Sequence, residues 1–77
     1  MKILKGEIIR KDEPVFSFEE EYHDKKDFFL ALVGICDKLN VDVPIWTSKE
    51  DRIVEQNKAV RFMISYDTYL QFSKYEI

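Results

Sequence analysis

The sequence contains little cysteine, glycine or proline and no long hydrophobic run. Its 77 residues include one Cys, two Gly and two Pro, which excludes a disulfide framework, a collagen-like repeat and a low-complexity chain. The longest apolar stretch covers residues 28–36, whereas a membrane-spanning helix needs about 20 residues. We also expect no signal peptide, because no long apolar block or small-residue cleavage site follows Met1. The lone Cys36 cannot form an intrachain disulfide, which is typical of a protein of the reducing cytoplasm.

Charge of either sign is dispersed rather than clustered. Twelve Lys and Arg residues face fifteen Asp and Glu residues, for a net charge of -3. A protein that binds the nucleic-acid backbone without sequence preference usually carries clustered Lys and Arg, and no such cluster is present. The charge pattern therefore disfavours nucleic acid as a partner.

The composition is that of one small folded domain, which we assign to residues 1–77. Hydrophobic residues make up 45% and aromatic residues 14% of the chain, too many for a disordered segment. A chain this short buries only about 60% of its unfolded surface. Its stability is therefore marginal without dense packing or a partner.

The first third of the chain predicts a β-hairpin. Residues 3–10 are rich in β-branched residues, with Leu4 and Ile8 on one face of the strand. Gly6 lies between these two residues, where it indicates a bulge or a close backbone approach. Residues 11–14 are predicted as the turn, because Pro14 disfavours the α region for the preceding residue. In the following run, Phe16, Phe18 and Tyr22 alternate onto one face.

A helix is predicted from Lys25 to Leu39, with Asp24 as its N-cap. Apolar residues recur along it at helical spacing: Phe28, Phe29, Leu32, Val33, Ile35, Cys36 and Leu39. They form an arc of roughly 200°, which is wider than contact with one sheet requires. Leu30 falls on the opposite face. We therefore expect this helix to meet another element or another subunit in addition to the sheet.

The middle of the chain predicts an extended linker followed by a short second helix. Residues 41–46 are extended, and Thr47 and Glu50 have the spacing of a capping box. The second helix is predicted to continue to about Asn57, held to the protein by Ile53, Val54 and Trp46.

The C-terminal region predicts two further strands. Residues 59–65 alternate in polarity and residues 66–68 form a turn. Residues 69–77 read as a last strand, and a short helix capped by Asp67 is the alternative. The order β-β-α-α-β-β predicts an α+β fold with a small, mainly antiparallel sheet and helices covering one face.

No combination of residues indicates catalysis, a cofactor or a metal. His23 stands at a strand-to-helix junction, and base catalysis needs partners within hydrogen-bond reach. Cys36 lies near a helix C-terminus, where the helix dipole disfavours a thiolate. One Cys and one His provide no zinc ligand set, and two isolated glycines form no phosphate-binding loop. We therefore expect a protein that is not an enzyme and has no cofactor.

Five residues are candidates for an interaction surface: Trp46, Pro44, Leu30, Tyr69 and Tyr75. A rigid extended segment that presents Trp46 is typical of a docking point, since Trp is enriched at binding hot spots. The alternative is that Trp46 closes the core beneath the second helix. Tyr69 and Tyr75 are predicted to share the second face of the sheet with other apolar residues.

The segment Val43-Pro44-Ile45-Trp46 resembles a stretch in a family of small uncharacterised bacterial proteins. In that family an N-terminal hairpin and helix precede this segment, and the chain ends in a short aromatic strand similar to residues 72–77. The resemblance covers most of the chain in order. It implies no activity, ligand or catalytic residue.

The sequence most favours a non-enzymatic cytoplasmic protein that acts as a protein–protein interaction or self-association module. The first alternative is a single-stranded nucleic-acid accessory protein, in which aromatic side chains on the C-terminal strands stack on bases. Its contact residues would be Arg61, Tyr66, Tyr69 and Tyr75. The second alternative is a small-ligand-binding protein or enzyme centred on Trp46, with His23 and the acidic residues 19–21 beside it.

Overall fold

Four strands and two helices follow one another along the chain in a computed structural model that describes residues 1–77. They are β1 (Lys2–Arg10), β2 (Glu13–Tyr22), α1 (Lys25–Leu39), α2 (Ser48–Glu55), β3 (Val60–Ser65) and β4 (Thr68–Glu76). The strands form one antiparallel sheet in the order β2-β1-β4-β3. The predicted α+β class and the element order are confirmed. The C-terminal segment forms a strand, Thr68–Glu76, and not the alternative short helix.

Strand β1 lies inside the sheet and joins the two hairpins. It pairs with β2 on one side and with β4 on the other. Lys2 lies opposite Glu76, and the Ile77 amide donates a hydrogen bond of 2.9 Å to the Met1 carbonyl. The two ends of the chain therefore lie side by side, and the two outer strands, β2 and β3, form the edges of the sheet.

The first hairpin turn is shorter than the sequence indicated. Only Lys11 and Asp12 form the turn, both at positive φ (52° and 65°), and β2 already begins at Glu13. The prediction that Pro14 belongs to the turn is wrong. Because β2 is an edge strand, its outer side needs no backbone donor, and proline is tolerated there. A register shift between Ile8 and Ile9 adjusts the pairing next to Pro14.

Helix α1 begins and ends at the predicted residues. The Asp24 carboxylate accepts a hydrogen bond of 2.9 Å from the Asp27 amide, which satisfies one free donor of the first turn. Asn40 ends the helix in the left-handed region, with φ 58°. Its buried residues are four members of the apolar arc, Phe28, Leu32, Ile35 and Cys36, together with Ala31.

Helix α2 has the predicted capping box but ends earlier than expected. The Thr47 hydroxyl accepts from the Lys49 amide, and the Glu50 carboxylate accepts from the Thr47 amide at 2.6 Å. The helix stops at Glu55 rather than near Asn57. The reason is that Asn57 adopts φ 59°, a left-handed conformation that an α-helix cannot continue. Neither helix has the length and apolarity that crossing a membrane requires.

The core contains residues from both helices and all four strands. Its buried members are Leu4, Ile8, Tyr22, Phe28, Ala31, Leu32, Ile35, Cys36, Val54, Val60, Leu70 and Phe72. Gly6 lies beneath this cluster. A Cβ atom built on Gly6 would lie 2.9 Å from Cε1 of Phe72 and closer still to Cγ2 of Ile35. The expected close approach at Gly6 is therefore present, and it involves α1 and β4.

Candidate functional site

Strand β3 has one free edge and little to protect it. It pairs only with β4, so its other side has no neighbouring strand. Its six residues, Val-Arg-Phe-Met-Ile-Ser, include no acidic residue, no lysine and no proline. Met63 is 70% exposed, and Ile64 and the adjacent Tyr66 are also exposed. An exposed apolar edge strand is a template for pairing with another strand.

The opposite edge of the sheet, β2, differs in charge and backbone. It contains Pro14 together with four glutamates: Glu13, Glu19, Glu20 and Glu21. Charged side chains and proline are the features with which proteins prevent edge pairing. Glu20 is held by Lys38 at 2.5 Å, and Glu19 accepts a hydrogen bond from the Tyr75 hydroxyl. Both edge strands have a register shift in their pairing, so the difference between them is in acidic residues and proline, and by these two features β3 is the less protected edge.

Trp46 packs between the second helix and the sheet. Its ring centroid lies 5.5 Å from that of Phe28, 5.8 Å from Phe72 and 6.1 Å from Phe62. Its Nε1 donates a hydrogen bond of 2.7 Å to Oδ1 of Asp51. These contacts account for the half-burial of Trp46 without a ligand. Ile45, the residue before it, is 85% exposed.

Asp51 is the electrostatic partner of Trp46. Its second carboxylate oxygen lies 2.9 Å from Nζ of Lys25. Burial alone would raise the pKa of Asp51, but the hydrogen bonds from Lys25 and Trp46 outweigh burial and lower the pKa below its ordinary value. The carboxylate therefore stays ionised at neutral pH and links α1, the linker and α2.

The lowered pKa of Asp51 predicts a loss of stability in acid. In the unfolded chain an Asp side chain has a pKa of about 3.9, so the unfolded chain takes up the proton first as the pH falls. The stability that ionised Asp51 contributes is therefore complete above the pKa of the unfolded chain. It is lost as the pH falls through the lower pKa of Asp51 in the folded protein. We expect Asp51→Asn to be less stable than the unsubstituted protein at pH 7 and to lose less stability between about pH 5 and pH 2.

Urea titrations at several pH values measure this effect. Asp42→Asn is the control, since Asp42 lies exposed in the linker and forms no ion pair. Parallel stability curves for Asp51→Asn and the unsubstituted protein would contradict the assignment.

The linker and α1 both expose apolar side chains. The Val41 amide donates to the Cys36 carbonyl at 3.0 Å, and Trp46 at the other end contacts Phe28. The linker therefore runs back along α1, with Pro44 half-buried. Leu30 is 65% exposed on the helix. The other exposed apolar residues of these two segments are Phe29, Val33, Val43 and Ile45.

Tyr69 and Tyr75 lie on the sheet face that also bears Arg61, as their register positions require. The Arg61 guanidinium stacks 5.6 Å from the Tyr69 ring centroid, and its Nε donates to Gln71 at 2.7 Å. The Tyr75 hydroxyl donates to Glu19, and this bond raises the pKa of Tyr75. Three of the four residues considered for stacking on bases therefore share a face, and they share it with carboxylates. The fourth, Tyr66, lies in a turn.

His23 and Cys36 occupy ordinary structural positions. The exposed His23 has its Nε2 3.6 Å from Glu21, with no pairing to Asp24. Cys36 is fully buried, and burial raises the pKa of its thiol. No three His, Cys, Asp or Glu side chains come together as a metal-binding group.

A cavity of about 390 Å³ lies between the start of α1, helix α2 and the sheet. Trp46 does not line it, although its neighbours Phe28 and Asp51 do. Lys2, Tyr22 and Arg52 are also lining residues, and none of them was a sequence candidate. Met63 and Ile64 were likewise missed as surface candidates. The absence of any acidic residue, lysine or proline from residues 60–65 is the signal that would have identified them.

The Pro44–Trp46 segment, which carries the resemblance to the family of small bacterial proteins, serves here to connect α1 to α2 and to complete the core. That resemblance stays a prediction. No family model, no curated protein and no solved structure matches this chain.

Proposed function

We propose that the protein is a non-enzymatic interaction module that binds a second copy of itself through strand β3. The observation that carries the proposal is the unpaired β3 edge, which has no acidic residue, lysine or proline. Pairing of two β3 strands would extend each four-stranded sheet into a shared sheet. The acidic β2 edge, with its proline, would remain at the outer ends of that sheet and limit further growth.

The side chains of β3 are compatible with this two-fold arrangement. In antiparallel pairing about a two-fold axis, residues that lie opposite each other come from the same face. If the axis passes through Phe62, Arg61 lies opposite Met63. The register shift between Met63 and Ser65 places Ser65 on the other face from Arg61, so an axis through Met63 would not bring these two residues opposite each other. The register about Phe62 places no two like charges together, and it places the Phe62 side chains of the two copies opposite each other.

The proposal takes both helices to cover the same face of the sheet. Supporting this view, buried residues of α1 and the buried Val54 of α2 belong to one core cluster with Leu4 and Phe72. Exposed Ile45 would then lie near the β3 edge on the helix side, because Trp46 contacts Phe62. We place this assembly in the cytoplasm, in keeping with the single free Cys36.

Sedimentation velocity tests the proposal from low to high micromolar concentration. We expect the unsubstituted protein to sediment as a dimer with a concentration-dependent monomer fraction. Met63→Lys places a lysine opposite Arg61 of the second copy, so we expect it to weaken the dimer by about tenfold or more. Circular dichroism confirms that the variant is folded.

Two lysine variants at other exposed apolar positions are the matched controls. Val15 lies on the edge strand β2 and Leu30 on α1. We expect the Val15→Lys and Leu30→Lys variants to remain dimeric. A monomer at high micromolar concentration would rule out self-association. Dissociation by Leu30→Lys, with Met63→Lys unaffected, would move the interface from β3 to α1.

A further inference from the structure

The cavity of about 390 Å³ between the helices and the sheet has the size of a small-molecule site, since ligand pockets occupy roughly 300–1,000 Å³. Its apolar part consists of Tyr22, Phe28 and Val54, which are buried. Charged side chains surround this apolar part. Seven of the ten lining residues are polar and six of these are charged, so the cavity is more polar than most ligand pockets and suits a ligand with a charged group.

The carboxylates of the cavity are already engaged within the protein. Asp24 caps α1, Asp51 binds Lys25 and Trp46, and Glu55 binds Lys74 at 3.1 Å. Two of the cations are not engaged: Lys2 and Arg52 line the cavity but form no ion pair. The lining carries three cations and three carboxylates and is formally balanced, and Lys2 and Arg52 are its two charged side chains without a protein partner.

Tyr22 provides an independent indication of a ligand. Tyr22 is only 5% exposed, and its hydroxyl is buried with no hydrogen-bond partner. It is the one buried side-chain polar atom of this kind in the structure. A buried polar group without a partner destabilises the fold, so native proteins retain few of them. Burial also raises the pKa of Tyr22, so the phenol keeps its proton at neutral pH.

We propose that this cavity binds a small organic anion, with a carboxylate or phosphate head and an apolar body. Arg52 and Lys2 bind the head, because a guanidinium donates hydrogen bonds that match both kinds of anion. Phe28 and Val54 contact the apolar body. The Tyr22 hydroxyl forms a hydrogen bond with a polar atom of the ligand and so gains the partner that it lacks.

Titrations followed by amide NMR shifts test this site with three probes: 3-phenylpropionate, phenyl phosphate and the neutral alcohol 3-phenylpropanol. We expect at least one anion to produce saturable shifts at Tyr22, Phe28 and Arg52. The alcohol should bind about tenfold more weakly, because it lacks the charged head. Comparison of the two anions identifies the preferred head. Equal binding of the alcohol, or no saturable shift with either anion, would overturn the proposal.

Substitutions assign the binding to this cavity. Arg52→Gln should weaken the preferred anion by about tenfold. Lys26→Gln, on α1 outside the cavity, is the matched charge control and should leave the affinity unchanged. An equal effect of the two substitutions would mean that the anion responds to overall charge rather than to a site.

Tyr22→Phe tests the hydroxyl separately. It removes the unpaired group, so we expect a higher Tm without ligand and an affinity for the preferred anion that is lowered several-fold. If Tyr22 binds the ligand, its replacement by Phe raises the Tm of the free protein and lowers the affinity for the anion. A higher Tm with unchanged affinity would refute the role of the hydroxyl.

Discussion

Replacement of Phe72 with alanine is expected to remove about 3–5 kcal/mol from the free energy of unfolding. Phe72 is fully buried, and its ring meets Trp46 edge-on with centroids 5.8 Å apart. Its side chain also fills the space above Gly6, where no Cβ is present to occupy the cavity that alanine would leave. A domain of this length has a total stability of about 4–12 kcal/mol. The variant is therefore expected to lose a large part of its folded population.

Urea denaturation followed by far-ultraviolet circular dichroism measures this loss without depending on the fluorescence of Trp46. Phe16→Ala is the matched control, because Phe16 is 64% exposed on the edge strand β2. We expect the control to change the free energy of unfolding by less than about 1 kcal/mol. Similar losses for the two variants would contradict the description of the core.

Local features of the fold could be predicted from the sequence because neighbouring residues determine them. Helix α1 follows from its apolar period together with a capping Asp24 and a terminating Asn40. The α2 capping box follows from the spacing of Thr47 and Glu50. Gly6 stood out because a strand residue without a side chain indicates close packing. In each case the relevant interaction spans a few residues or one strand face.

Features that depend on distant residues could not be predicted in the same way. The order β2-β1-β4-β3 places Lys2 beside Glu76, and no local pattern specifies that pairing. Pro14 is tolerated within β2 because β2 is an edge strand, and the local sequence around Pro14 does not show which strands form the edges. The cavity joins Lys2, Tyr22 and Arg52 from three separate elements. A tyrosine at position 22 predicts an inward ring, but not a hydroxyl without a partner.

The two proposals begin from unsatisfied polar groups of different kinds. The free edge of β3 leaves backbone donors and acceptors without a strand partner, and solvent can satisfy them. The Tyr22 hydroxyl is buried, so solvent cannot satisfy it in the same way. A second copy of the chain suits the edge because strand pairing supplies a row of backbone groups. A small molecule suits the cavity because one buried hydroxyl and two cations are a few separate groups, which a single small ligand can contact.

The two glycines are expected to respond to alanine with opposite signs. At Gly6, the added methyl group would overlap Ile35 and Phe72, two fully buried residues of a packed core. Overpacking of this kind costs about 1–3 kcal/mol. At Gly34 in α1, the nearest atom to an added methyl is Oε1 of Glu20 at 3.9 Å, an ordinary contact. Alanine there removes the backbone entropy cost of a helical glycine and is expected to stabilise by about 0.5–1 kcal/mol.

The comparison isolates packing from backbone entropy because both substitutions add the same methyl group. Neither glycine has a positive φ, so backbone strain does not separate the two sites. Chemical denaturation of both variants should give free energies of unfolding that differ by about 1.5–4 kcal/mol, with the unsubstituted protein between them. If Gly6→Ala were as stable as the unsubstituted protein, the sheet and α1 would have to separate with little cost. The close contact between β1, α1 and β4 would then not be what holds the core together.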